Sequence, residues 1–223
     1  MLKLGIDDAG RGPVIGPMVL AGCVIDKKTE AEFKKLGVKD SKELSEKRRE
    51  FLVNIIKEKA ETFEIVIVSP IEIEVANKKG IKLNEVEAIA CAKIINKINK
   101  GYKKLSVVID CPSTTIVKWQ DFLKTKIKDL SNLEISCEHK ADKNHIAVSA
   151  ASIIAKSIRE KEMFKLKEKY GSEIGSGYPS DPLTNVFLKK NVKKLNNKGI
   201  FRRTWSTWKN AAGKQEQKRL SEF

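Results

Sequence analysis

The sequence predicts an α/β fold, a sheet with helices on its faces followed by a small helical appendage. Three observations lead there. Short apolar runs of strand type alternate with stretches of helical periodicity over residues 1–170. The first two runs follow each other closely enough to read as a hairpin. Beyond Gly171 the composition shifts to a loop punctuated by Gly and Pro, GSGYPSDP, and two further helical patterns. A chain of 223 residues, 41% of them hydrophobic, can build one such core and an appendage. The expected division is a core over residues 1–170 and an appendage over 171–223.

Leu2 to Ile6 alternates apolar residues with Lys3 and Gly5 and runs into Asp7-Asp8. Pro13 to Ile25 is a long apolar run, so the spacing predicts two strands joined by a tight turn at Gly10-Arg11-Gly12. After a polar stretch containing Asp40-Ser41-Lys42, Ser45 opens SEKRREFLVNIIKEKA, with Phe51, Leu52, Ile55 and Ile56 at helical spacing. Glu64–Val68 is the third expected strand. Ser69-Pro70-Ile71-Glu72 combines a capping box with proline at the first helical position, which predicts a helix start. Residues 84–100 and 116–128 read as helices, Lys104–Asp110 and Leu133–Cys137 as strands. From about Asn144 to Tyr170 runs a long helix, whose small-residue segment SAASIIAKS would let it lie close against a sheet. Helices near Pro182–Leu195 and from about Thr204 complete the pattern.

The chain carries 44 Lys and Arg against 29 Asp and Glu, a formal charge of +15, which suits a polyanionic partner or a solvated surface. No run approaches the ~18 apolar residues of a membrane span, and MLKLGIDDAG has no signal-peptide core. The four cysteines, Cys23, Cys91, Cys111 and Cys137, form no CxxC pair, which argues against a zinc site and a disulfide scaffold and for a reducing cytoplasm.

Asp7 and Asp110 each end an apolar strand, and Asp142 lies between the fifth strand and the long helix. Ligands of open α/β sheets bind beyond the carboxyl ends of strands, so the three carboxylates are expected to converge there. Carboxylates sharing a cleft repel one another unless a cation lies between them, and hard oxygen ligands favour Mg²⁺ or Mn²⁺. Taken singly, each is also an ordinary turn former. Asp8 follows Asp7 on the same strand and points to the other face unless the strand bulges there. Gly10-Arg11-Gly12 is followed by Gly16, giving GxGxxxG ahead of a strand, so it is not a dinucleotide fingerprint. It leaves a backbone open to close approach, with a cation between two glycines. His139 and His145 show no metal or triad spacing and read as surface or packing residues. Trp119, Trp205 and Trp208 read as packing residues, with Arg202 and Arg203 open to a phosphate contact.

In order, GIDDAGRGPVIGPMV, DSKELS, the strand end at Asp110, EHKADKNHIAVSAASIIAKSIRE and GSGYPSDP resemble ribonuclease HII, the type 2 ribonuclease H, in its archaeal form, across most of residues 4–183. The resemblance implies a ribonuclease H-like mixed sheet with a C-terminal helical appendage. It also implies an endonuclease that cuts the RNA strand of RNA/DNA hybrids and the 5′ side of a ribonucleotide embedded in duplex DNA, leaving a 3′-hydroxyl and a 5′-phosphate. By the same resemblance the catalytic metal ligands are Asp7, Asp8, Asp110 and Asp142, holding Mg²⁺ or Mn²⁺ in two-metal hydrolysis. The family usually carries Glu at position 8, one methylene longer than Asp8. Gly10, Arg11 and Gly12 would contact the ribose 2′-hydroxyl and the adjacent phosphate, Tyr178 the 2′-hydroxyl and the next sugar, and Lys42 a phosphate. A non-catalytic nucleic-acid-binding protein on the same fold is the alternative, to be separated by a cleavage assay with and without Mg²⁺.

The last seven residues read Q-x-x-L-x-x-F through Gln217, Leu220 and Phe223, resembling the peptide by which replication and repair proteins dock on the sliding clamp. One helical turn would put Leu220 and Phe223 on one side, ready for a hydrophobic pocket. A basic tail or a last turn folded onto the core is the plainer reading. A monomer is expected.

Overall fold

The computed structural model describes residues 2–39, 44–102 and 104–220, with residues 214–220 as backbone alone. Five strands, β1 (Leu2–Ala9), β2 (Met18–Ile25), β3 (Thr62–Val68), β4 (Leu105–Asp110) and β5 (Leu133–Glu138), form one sheet in the order β3-β2-β1-β4-β5. β1 runs antiparallel to β2 and parallel to β4, and β4 parallel to β5, so the sheet is mixed as the resemblance implied. The helices are α1 (Lys27–Lys35), α2 (Glu46–Lys59), α3 (Pro70–Lys78), α4 (Leu83–Ile98), α5 (Ile116–Lys124), α6 (Ala141–Asn144), α7 (Ile146–Tyr170), α8 (Pro182–Asn191) and α9 (Ser206–Leu220). None of the described helices is long and apolar enough to cross a membrane.

Local chemistry accounts for the starts. Ser45 caps α2 by accepting from Arg48 N, and Ser69 and Glu72 form the reciprocal capping box of α3. Helix α1 falls in the stretch read as polar. Phe33 is its one buried residue, so it has almost no apolar stripe to betray it, although Asp26 caps it through Thr29 N.

The residues group into two compact units. The first takes residues 1–9, 19–67 and 82–158, the second residues 10–18, 68–81 and 159–223. In the first, alternate residues of β2 (Val19, Ala21, Cys23, Ile25) pack with Leu52 and Ile56 of α2 and with Ala147, Ala151 and Ile154 of α7. All eight residues of β2 are buried, which explains its unbroken apolar run. A Cβ on Gly5 would stand 2.1 Å from the Ala147 carbonyl carbon, so α7 crosses β1 where neither chain has bulk, as its small residues predicted.

The second unit corrects the expected hairpin. Residues 13–17 are no part of β2, which begins at Met18. Val14 and Ile15 instead enter a core with Ile174, Phe187, Leu188, Val192, Ile200 and Phe201. Ile15 bridges Phe201 in antiparallel fashion, Gly16 N donates to Ile200 O, and Arg202 N to Val14 O. The apolar run is continuous because it supplies two cores in succession.

Candidate active site

Parallel pairing of β1 with β4 stops at Ile6 and Ile109, whereas β1 stays paired with β2 as far as Ala9 and Val19. The next residues on the parallel side are Asp7 and Asp110. Asp142 lies in α6, whose Ala141 N–H donates to Asp110 Oδ1 at 3.2 Å. One oxygen from each of Asp7, Asp110 and Asp142 lies within 4.8 Å of the others. The expected convergence at the strand ends is observed. Asp7 and Asp142 are buried and Asp110 half-buried, a setting in which neighbouring carboxylates are least screened.

Burial is the main reason that the Asp7 carboxyl titrates well above the usual range, and the charges of Asp8 and Asp110 push it further. The Ser152 hydroxyl and the Asp8 N–H, the latter at 2.7 Å, donate to Asp7 and partly offset this. Crowded buried carboxylates with all-oxygen donors fit a hard divalent cation, which would relieve both the repulsion and the desolvation. Asp8 stands outside the group of three. Pairing with β2 continues unbroken from Asp7 to Ala9, so no bulge forms there, yet the charge of Asp8 weighs on Asp7 ahead of that of Asp110.

The segment carrying Asp142 is tied down from both ends. His139 Nδ1 lies 3.0 Å from Cys111 O, His145 Nε2 lies 2.9 Å from Glu138 Oε2, and Ser149 Oγ donates to Asp142 O at 2.5 Å. The two histidines, read as surface or packing residues, brace a loop that turns through a left-handed Lys140 at φ 58°. Their spacing gives no sign of this, because Cys111 is 28 residues from His139 and Glu138 is brought to His145 only by the turn between them.

In the second unit Gly10 and Gly16 have φ of 82° and 90°, the left-handed region open to glycine. Arg202, fully buried, donates from Nη2 to Gly10 O at 2.5 Å, from Nη1 to Arg11 O at 2.7 Å and from Nε to Gly16 O at 3.1 Å. The loop's carbonyls therefore turn inward. Tyr178, exposed, lies over the guanidinium of Arg159 at 4.9 Å from its ring centroid. A Cβ on Gly12 would stand 3.7 Å from that ring. Gly10 and Gly12 thus belong to one local arrangement with Tyr178, which is far from them in sequence.

The family model described as Ribonuclease HII matches residues 4–208. The chain belongs to the ribonuclease HII family. It is 42% identical to the ribonuclease HII of Methanocaldococcus jannaschii, with 99% of each chain covered. Among solved structures it resembles the ribonuclease H2 of Pyrococcus horikoshii, at TM-score 0.85, 36% identity and coverage of 96% of this chain and 98% of that one. It also resembles the RNase HII solved in complex with PCNA from Archaeoglobus fulgidus, at TM-score 0.80 and 37% identity, covering 92% and 96% of the two chains. Its activity is that of a type 2 ribonuclease H, and the non-catalytic alternative is not favoured.

The remaining candidates of this ribonuclease HII sequence fall unevenly. Arg202 and Arg203 have partners within the protein: Arg202 donates to loop carbonyls, and Arg203 makes a two-pronged pair with Glu74 of α3 at 2.6 and 2.8 Å. Trp119 is buried and donates to Asn84 O at 2.8 Å, while Trp205 and Trp208 pack on the core of the second unit. Lys42 and Phe223 lie outside the described residues. Gln217 and Leu220 lie in α9, described there as backbone alone.

Proposed function

We propose that the chain is an endonuclease that cuts the RNA strand of RNA/DNA hybrids and the 5′ side of ribonucleotides embedded in duplex DNA, leaving a 3′-hydroxyl and a 5′-phosphate. The observation that carries this is the group Asp7, Asp110 and Asp142 at the strand ends of a chain of this family. These three would hold Mg²⁺ or Mn²⁺, with Asp8 the fourth ligand that the resemblance implies. Divalent ions held there would supply charge stabilisation for the attacking water and the departing 3′ oxygen. The protein's own part is to hold the carboxylates ready. Ser152 and the Asp8 N–H orient Asp7, and the braces at His139 and His145 fix the segment bearing Asp142.

On the substrate side, Gly10, Arg11 and Gly12 contact the ribose 2′-hydroxyl and the adjacent phosphate, and Tyr178 the 2′-hydroxyl and the following sugar. The 2′-hydroxyl is the chemical difference between RNA and DNA, and a backbone without Cβ atoms admits it closely. Lys42 adds a phosphate contact, and the charge of +15 supplies sequence-independent affinity through counterion release. Residues 217–223 dock on the sliding clamp, a reading supported by the Archaeoglobus relative solved with PCNA. The work is that of replication and repair in the cytoplasm, by a monomer.

The test is cleavage of a hybrid and of a duplex with one ribonucleotide, with Mg²⁺, with Mn²⁺ and with excess chelator, followed by mapping of the ends. Cleavage in chelator would reject the metal assignment. Asp8→Ala is expected to lower turnover far more than hybrid binding, with Asp8→Glu tolerated. Calorimetry against the cognate clamp, with the full chain and with one ending at Glu216, isolates the tail; equal binding by both would remove residues 217–223 from the interface.

A further inference from the structure

Arg159 and Arg202 are both buried in the second unit, at 8% and 0% exposure. A buried guanidinium is costly unless its charge and donors are used, and neither side chain reaches the surface to bind a phosphate itself. Arg202 sends Nε, Nη1 and Nη2 to three separate carbonyls of the loop from Gly10 to Gly16, and its guanidinium lies 5.2 Å from the Trp205 ring centroid. Only a rigid fork can do this; an ammonium on a flexible stem cannot match three acceptors at fixed positions. Arg159 donates from Nη2 to Ser176 O at 2.9 Å, two residues before Tyr178, and carries the Tyr178 ring over its cation. Its Nε is buried with no hydrogen-bond partner, and a Cβ on Gly10 would stand 2.3 Å from that atom. Burial lowers the pKa of Arg159, and the charges of the Tyr178 phenol and of Glu160 act against that. The Arg159 side chain is thus wedged between the Gly10 backbone and the Tyr178 ring, at the expense of one donor.

We propose that Arg159 and Arg202 are positioning residues for ribonucleotide recognition: Arg202 fixes the Gly10–Gly16 loop by its carbonyls, and Arg159 seats the Tyr178 ring beside Gly12. The proposal rests on the reading of that loop and Tyr178 as substrate contacts. A cation against one ring face fixes the tilt of the phenol and leaves the other face for a sugar. Pre-organisation of this kind acts on transition-state placement, so its loss falls on kcat/KM for the substrate that depends most on the reader.

The experiment compares kcat and KM on duplex DNA containing one ribonucleotide with those on an all-RNA/DNA hybrid, for the full chain and for Arg159→Met, Tyr178→Ala, their double variant, Arg159→Lys and Arg202→Lys. Thermal melting is followed in parallel. Arg159→Met is expected to cut kcat/KM on the single ribonucleotide about tenfold, and the hybrid much less. In the Tyr178→Ala background it adds little, because its effect runs through that ring. Arg159→Lys keeps a cation under the ring and recovers most of the substrate ratio, which covers the case in which Arg159→Met folds poorly. Arg202→Lys loses the ratio, since charge without the fork does not hold the loop. If Tyr178→Ala shifts the ratio while Arg159→Met and Arg202→Lys do not, the positioning role is overturned and the reading of Tyr178 stands. Full additivity of Arg159→Met and Tyr178→Ala overturns it as well. Should Tyr178→Ala leave the ratio unchanged, the reading of Tyr178 fails and takes the proposal with it.

Discussion

Asp7, Asp110 and Asp142 are delivered by backbone: two are the residues at which parallel pairing between β1 and β4 ends, and the third sits on a turn bonded to one of them. The loop from Gly10 to Gly16 is held by side chains, above all by the three bonds of Arg202. The two regions also treat charge in opposite ways. One crowds buried carboxylates until Asp7 resists ionising; the other buries the cations Arg159 and Arg202 against carbonyls and rings. A site that needs a bound cation is built frustrated, whereas a site that must keep its shape is built satisfied, Arg159 Nε excepted. Substitutions in the first should therefore hurt activity without hurting the fold, and in the second the fold itself should suffer.

The largest effect expected is that of Asp110→Asn, which keeps size and removes charge. Turnover should fall by about a thousandfold or more, since a metal ligand contributes at least what an oxyanion donor does. Unfolding in urea without metal should be unchanged or slightly harder, because one of the repelling charges is gone. A variant that is both inactive and strongly destabilised would break the contrast.

Arg202→Met should show the reverse balance. Three carbonyls, those of Gly10 and Gly16 buried and that of Arg11 partly so, lose their donor at ~1–3 kcal/mol each, while removal of a desolvated cation returns part of that, leaving a net loss of about 3 kcal/mol. The acceptors win because methionine can donate nothing and the loop is already committed to left-handed glycines. Urea unfolding reads this as a lower midpoint with an unchanged slope. An unaltered midpoint would mean that the loop finds other donors and is not held by Arg202.

The same contrast explains what the sequence disclosed. Strand-end carboxylates are legible because strand periodicity alone puts Asp7 and Asp110 at the same edge, and the small residues of α7 announce a close crossing that Gly5 completes. The grip of Arg202 on Gly10 is not legible, since 192 residues separate the partners and nothing in FRRTW distinguishes a buried fork from a surface cation. The same holds for the run from Pro13 to Ile25, which looks like one strand because burial in two different cores leaves one apolar signature. Asp8 shows the limit from the other side: its place next to Asp7 suggested a bulge, and the pairing with Leu20 is regular, although its charge still acts on Asp7.

The smallest effects should be opposite in sign, and pH separates them. Asp7 has a folded-state pKa raised chiefly by burial, so in metal-free protein the native state holds its proton more tightly than the unfolded chain. That contribution favours folding in acid and is lost as pH rises through the folded value. Glu74 has its pKa lowered, first by the hydrogen bonds from Arg203 and also by Lys78, so its contribution is present above the ordinary glutamate value and is lost as pH falls through the folded one. In chelator at neutral pH, Asp7→Asn should therefore melt higher than the parent and Glu74→Gln lower. Both differences shrink in acid, where neither carboxyl carries charge in either state. Saturating Mg²⁺ supplies the missing counter-charge and should reverse the sign for Asp7→Asn alone, leaving Glu74→Gln where it was. Thermal melts of the three proteins across a pH series, with and without the ion, measure all of this. A metal-free Asp7→Asn variant less stable than its parent at neutral pH would show that Asp7 is satisfied without a cation, and the contrast between the two regions would then rest on geometry alone.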